Sequence, residues 1–277
     1  MNDVKTTARA EKYLGELAKR DMHDTGKCLI EIYADAGQGD SLIHVQELRI
    51  FWDFLNEQVF TVKPQTNGLF NQYNESCAFA GGRSTAEYDL DNAHMIRRGN
   101  LYNYLASFQE KPSILVVGEA PGYQGVRFSG VPFTSEKQLC EGLPVRGTRS
   151  SKEQYKLHST PTSKKFWAVM GPHRHEFLAW NSIPFHPYKI YNLLSNRPPR
   201  LEELKNYSFV LSELARRLRP EEVIAVGNNA EIALKDLNIG PCRTVKVTHP
   251  AARCKYAGNF ERQMTEFWNS SKTGRQF

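Results

Sequence analysis

Ser113-Ile-Leu-Val-Val-Gly118-Glu119-Ala120-Pro121-Gly122-Tyr123 is the stretch that decides the fold. Its first half is a short, unbroken run of apolar, largely β-branched residues that stops at a glycine. Such a run shows no polar alternation, so it suits a strand buried on both faces, as in a parallel sheet. Its second half holds a carboxylate and a Pro-Gly pair, the composition of a tight turn at a strand end.

Working outward, three further strands are predicted at Phe177–Trp180, at Glu222–Val226 followed by Gly227, and at Thr244–Thr248. Helical patterns separate them. Leu201, Leu204, Leu211, Leu214 and Leu218 share one face of a helix that starts after Pro198-Pro199 and ends before Pro220. A short helix is expected from Asn229 to Leu237, and a last one through Phe260, Met264, Phe267 and Trp268. Strand–helix alternation predicts a three-layer α/β/α sandwich with a mostly parallel central sheet. Sites in such sheets form at the carboxyl ends of the strands. The loops after Val117, Trp180, Val226 and Val247 are therefore where chemistry is expected.

Residues 1–110 read differently, as a helical N-terminal region packed on or preceding a core of residues 111–277. Tyr13, Leu14, Leu17 and Ala18 make one apolar stripe; Val45, Leu48, Trp52, Leu55 and Val59 make a stronger one. Pro64 and Gly68 break the pattern, Ala80–Ser84 reads as a loop, and a helix is expected from Asp91 to Phe108 with Arg97 and Arg98 inside it.

The 277 residues are 40% apolar, 24% charged and 11% aromatic, which excludes a disordered chain, a collagen and a coiled coil. No stretch reaches the ~20 apolar residues of a membrane span. Met1–Arg20 is charged and lacks the apolar segment of a secretory signal, so a soluble, cytoplasmic protein is expected. The net charge of +6 suits a nucleic-acid partner without requiring one. The five cysteines are odd in number and show no CxxC spacing, so neither a disulfide framework, nor a metal, nor another cofactor is expected.

Three strand ends carry suggestive residues. Gly118–Tyr123 and Gly130-Val-Pro-Phe133-Thr134 pair two glycine turns with a flat aromatic. They read alternatively as structural turns around a core Phe, or as a phosphate loop that lacks its Lys-Ser/Thr. Asn181 has both donors and an acceptor in one plane, which suits the edge of a nucleobase or simply a loop. His249, fixed by Pro250, sits where it could stabilise charge opposite Glu119.

In this order and on these strand ends, the residues resemble the uracil-DNA glycosylase superfamily from about Ser113 to Trp268. The Gly118–Phe133 block is similar to family 4 and family 5 enzymes. Asn181-Ser-Ile-Pro and His249-Pro250 also resemble the single-strand-selective monofunctional branch. Ala225-Val-Gly-Asn-Asn-Ala230 matches a segment common in these proteins. The resemblance implies a monofunctional enzyme that flips uracil, or another deaminated base, out of DNA and hydrolyses its N-glycosidic bond. It implies that Glu119 activates water, Phe133 stacks on the base, Asn181 reads its amide edge and His249 stabilises the leaving base. Gly118, Ala120, Gly122 and Tyr123 complete the expected base pocket. Arg253 falls where the superfamily places a strand-wedging segment. Gly122 stands where the most uracil-strict family has a Tyr, so the thymine methyl is not excluded there.

Three departures qualify the match. Ala120 replaces a catalytic Asp or Asn of several families, the cysteines lack the family 4 cluster spacing, and Gly142–Lys165 is longer than its counterpart. Within Arg146–Lys165, six cations face one acid, Glu153. Arg149 and Lys152 there, with Arg127 and Lys137 nearby, are expected to grip DNA, although a solvated loop is the alternative. A monomer acting on DNA is expected. A catalytically altered or inactive nucleic-acid-binding relative, and an unrelated α/β enzyme acting on a small nucleotide, are the competing readings.

Overall fold

The computed structural model describes residues 42–62, 68–74, 87–235, 237 and 239–274. The predicted Tyr13–Ala18 stripe, the Ala80–Ser84 loop, Cys28 and Cys77 lie outside these residues.

The elements in chain order are α1 (Gln46–Gln58), β1 (Leu69–Phe70), α2 (Ala93–Ala106), β2 (Ile114–Gly118), α3 (Val126–Ser129), α4 (Glu136–Cys140) and α5 (Pro161–Met170). They continue as β3 (Phe177–Asn181), β4 (His186–Pro187), α6 (Leu201–Leu218), β5 (Glu222–Val226), α7 (Asn228–Lys235), β6 (Arg243–Val247) and α8 (Asn259–Gly274). The central sheet has the order β3-β2-β5-β6, with every pairing parallel. The predicted sandwich is present, and its strands begin or end within one residue of the expected limits.

The sheet has two apolar faces because strand side chains alternate. Leu115 and Val117 of β2, with Leu178, Trp180, Val223 and Ala225, join Leu48, Phe51 and Leu55 of α1, Leu101 and Leu105 of α2 and Leu211 and Leu214 of α6. Ile114 and Val116, with Phe177, Ala179, Ile224 and Val226, meet Phe166 and Met170 of α5 and Phe260 and Met264 of α8. The apolar residues of β2 are fully buried, each gaining about 1.5–3 kcal/mol over an exposed side chain. That explains why the run at 114–117 carries no polar residue. The α1 and α2 stripes share one cluster with the central strand. Only β6 departs from the buried pattern: it is an edge strand with exposed Arg243, Thr244 and Lys246.

Two features were not read from the sequence. Leu69–Phe70 and His186–Pro187 form a separate antiparallel pair, too short to show a period. The predicted loop through Lys165 contains the start of α5. Thr160 caps this helix, its Oγ1 accepting from the Ser163 N–H at 3.0 Å, and Pro161 opens it. Among the described residues no helix is long and apolar enough to cross a membrane.

Candidate active site

A parallel sheet puts all its carboxyl ends on one edge, and four loops leave from that edge. Gly118 of β2 lies beside Asn181 of β3, and Val226 of β5 beside Val247 of β6. The ends are tied laterally. The Ser182 N–H and Oγ–H both donate to Gly118 O, at 2.8 and 2.7 Å, and the Gly227 N–H donates to Val247 O at 2.9 Å. Gln263 of α8 accepts from the Thr248 N–H at 2.8 Å and anchors the loop that carries His249.

These loops enclose a cavity of about 320 Å³, within the range of small-ligand sites. Glu119, Ala120, Gly122, Phe133, Asn181 and His249 all line it. Six residues between positions 119 and 249 thus meet in one concavity. Gly118 lies just beneath. A Cβ there would come within 2.5 Å of the Phe133 ring and 3.0 Å of Asn181 Oδ1, so glycine is needed for the ring to lie against the strand end. Phe133 stacks on Phe166 with centroids 4.1 Å apart and an interplanar angle of 9°. Its backbone is held at φ 56°, an uncommon conformation for a side chain of this size. Gly130 is required too: it has φ 77°, and a Cβ would collide with the Arg97 backbone. At Gly122, by contrast, an added Cβ would approach only Asn196 Oδ1, at 3.7 Å, so the space is open. The Ala120 methyl packs against the apolar cluster of Leu69, Ile183 and Leu204. A carboxylate there would be partly desolvated, which leaves Glu119 as the acid of this loop.

The electrostatics separate two roles. Burial raises the Glu119 pKa above the ordinary carboxylate value, and a hydrogen bond from Asn229 opposes that rise. Burial lowers the His249 pKa, so the ring is neutral at pH 7. The Ala251 N–H donates to His249 Nδ1 at 3.1 Å, which assigns the single ring proton to Nε2. His249 is therefore a neutral N–H donor. A second histidine supports the wall without entering it. His186 is fully buried, and its Nδ1–H donates to Pro121 O at 2.7 Å, while Nε2 faces Leu193 O at 3.2 Å. Burial pushes its pKa down to about 4.

The cavity also includes Thr134, next to Phe133, and Gln124, Thr160, Thr162, Asn196 and Arg197, which the sequence reading did not single out. Arg197 bonds Glu203 through both terminal guanidinium nitrogens at 2.7 Å and also donates to Tyr188 O from Nε and to Gly68 O. Asn196 Oδ1 accepts from the Tyr123 N–H at 2.9 Å. Tyr123 itself is not among the lining residues. No periodicity marks Asn196 or Arg197. The Asn228-Asn229 pair after a strand-ending glycine was a readable signal for Asn229.

The expected DNA-gripping cations are not a set. Arg127 is a correction: it is fully buried, 3.0 and 3.1 Å from the two oxygens of Asp89, with its guanidinium 4.1 Å from the Phe128 ring centroid. Burial draws its pKa down to about 10. Arg97 pairs with the same Asp89 at 2.7 Å, so two interior guanidiniums share one carboxylate. Arg149 is also committed inward: it donates to Ser151 O, Lys152 O and Tyr155 O and pins its own loop. Ser150 and Ser151 of that loop are fully buried and bonded to the buried Glu136 carboxylate. The segment is thus neither a solvated loop throughout nor a continuous phosphate comb. Lys152 is half-buried, and Lys137 pairs with Glu141 at 3.8 Å, away from the cavity lining. Arg253 is exposed four residues beyond His249. Among the described residues no three His, Cys, Asp or Glu side chains gather to hold a metal ion.

Comparison with known proteins bears on the family and the fold. The family model described as the uracil DNA glycosylase superfamily matches residues 106–272. The crystal structure of wild-type SMUG2 from Pedobacter heparinus superposes with a TM-score of 0.55 at 14% identity, covering 82% of this chain and 97% of that one. At that identity the likeness shows the fold, and it extends beyond the segment matched by the family model. No curated protein sequence matches the chain.

Proposed function

We propose, from the premise that this chain belongs to the uracil DNA glycosylase superfamily, that it is a monofunctional glycosylase that removes uracil from DNA and leaves an abasic site. The observation that carries this reading is the Nε2–H tautomer of His249 in a cavity shared with Glu119 and Asn181.

The chemistry follows from the charges. Breaking the N-glycosidic bond builds positive charge on the sugar and negative charge on the departing base. The base must first leave the stack, at a cost of a few kcal/mol. Phe133, backed by Phe166, then offers the base a flat surface. The Asn181 amide can donate to O4 and accept from N3–H. Cytosine reverses both, so it would leave buried polar groups unpaired. A neutral His249 donates Nε2–H to O2 as its charge grows, with no proton lost to the base. Ionised Glu119 faces the cationic sugar and takes a proton from the attacking water, as in glycoside hydrolysis. Asn229 keeps Glu119 closer to its ionised form than burial alone would. Among the described residues no lysine stands in the cavity lining to form a Schiff base, which favours simple hydrolysis over strand cleavage.

The test is a strand-break assay. Labelled oligonucleotides with one uracil, single-stranded or opposite G or A, are incubated with the protein and cleaved with alkali. Breaks confined to the uracil position are expected. A second reading, a relative that binds without hydrolysis or acts on another base, is favoured by the apolar setting of Ala120. Gel-shift binding without breaks would support it, and hypoxanthine, xanthine and thymine oligonucleotides would then separate its two forms.

A further inference from the structure

Between β4 and α6 the chain runs out from the cavity wall and returns to it. Pro187 and Arg197, which both line the cavity, meet where the Arg197 N–H donates to Pro187 O at 3.4 Å. One step further out, the Lys189 N–H donates to Ser195 Oγ at 2.9 Å. The tip closes where the Asn192 N–H donates to Lys189 O, also at 2.9 Å. These rungs leave Ile190 and Tyr191 at the end of a pinned arm.

Both side chains face solvent: Tyr191 is 78% exposed, more than any other large apolar residue described, and Ile190 is 49% exposed. Tyr191 also sits at φ 68°. Left-handed backbone costs a residue with a Cβ, and such strain concentrates at functional positions. Glycine or asparagine would hold this turn more cheaply. An exposed ring in a strained turn adds little to the core, so its value lies outside the chain.

Its place identifies what it meets. Four residues of chain reach at most about 14 Å from Pro187, on the order of four base rises of 3.4 Å. The ring therefore lies within a few nucleotides of any base held in the cavity. Lys189 and Arg200, both exposed, flank the arm. A flat aromatic beside cations is the pattern that holds single-stranded nucleic acid, bases stacking on the ring while phosphates meet the charge.

We propose that the Lys189–Asn192 turn is a second strand-contact element, in which Tyr191, supported by Ile190, stacks on an unpaired base a few positions from the flipped nucleotide and Lys189 meets the adjoining phosphate. This rests on the glycosylase reading for the identity of the strand, but its test does not depend on catalysis.

The full-length protein is titrated with a single-stranded oligonucleotide carrying 2-aminopurine a few positions from a central uracil. Affinity is read by anisotropy, stacking by quenching, and excision at limiting and saturating DNA. Tyr191→Ala is expected to weaken binding ~5- to 100-fold and to abolish the quenching, the effect of losing one stacked base. KM rises while kcat is kept. Tyr191→Trp restores both signals. Tyr191→Gly weakens binding like alanine, yet leaves the melting temperature unchanged or higher because it relieves the turn. Equal affinity and quenching in wild type, Tyr191→Ala and Tyr191→Gly overturn the inference even where excision persists. So does loss of self-association in Tyr191→Ala with DNA affinity intact, which would assign the turn to a second copy of the chain. Tyr191-dependent quenching without any excision sustains this contact and overturns the glycosylase reading alone.

Discussion

The cavity has two walls of different origin. One is built at strand ends: Glu119 after β2, Asn181 closing β3, and His249 two residues beyond β6. The other is built from connections and one helix start: Gln124, the cap and first turn of α5 at Thr160 to Thr162, and Asn196 with Arg197. The first wall inherits its positions from paired strand ends: Asn181 lies in register with Gly118, and Glu119 and His249 follow within two residues of their strands. The second is held by side chains, chiefly the Arg197 fork on Glu203 and the Asn196 bond to Tyr123. The contrast suggests a division of labour. On the proposed reaction, the groups that handle charge stand at strand ends, and the groups that shape the opening are tied down separately by side chains.

The largest effect that would break this comparison is on stability. Arg197→Met should leave Glu203, 1% exposed, without its partner and cost about 3–5 kcal/mol, read as a fall in melting temperature. An unchanged melting temperature would show that the second wall does not depend on this pair. Next is Glu119→Gln. It should lower kcat by ~10²–10⁴, as for loss of a general base. At neutral pH the melting temperature should stay level or rise. A carboxyl whose folded pKa is raised binds protons more readily when folded, so its stability contribution falls as pH climbs through that pKa, and Gln removes the penalty. A lower melting temperature would make Glu119 a structural group.

His249→Ala should cost ~10²–10³ in single-turnover excision with normal DNA affinity, as for one donor to a developing anion. A loss confined to binding would reassign it to the second kind of wall. The smallest effect sharpens the first wall internally. In Asn229→Ala the bond that lowers the Glu119 pKa is gone. The acid limb of the pH–rate profile should move to higher pH, with the rate well above that limb little changed. A uniform drop with no shift would mean that Asn229 acts on the substrate directly.

The two walls also differ in how well the sequence reveals them. Ile114–Val117 reads as a buried strand, and a buried parallel strand dictates which edge carries the loops; that is where Glu119, Asn181 and His249 were sought, and they line one cavity. The helix Leu201–Leu218 was legible to within a residue or two because prolines bracket a strong amphipathic stripe. Arg127 was misread as a DNA contact because its partner, Asp89, lies 38 residues upstream. A cation's sign is local, but its burial is a property of the whole fold. Asn196 and Arg197 escaped notice because side-chain ties leave no period. The β1–β4 pair escaped because two residues are too few to alternate.

His186 acquires a meaning from this arrangement. The carbonyls its ring faces belong to Pro121, in the loop that carries Glu119, and to Leu193, in the arm that carries Tyr191. One buried ring thus works as a gauge block between the loop of Glu119 and the arm of Tyr191. The distance between them is set before any substrate arrives. Shortening that block, as in His186→Ala, should blur which nucleotide is presented to Glu119 rather than how fast a well-presented one reacts.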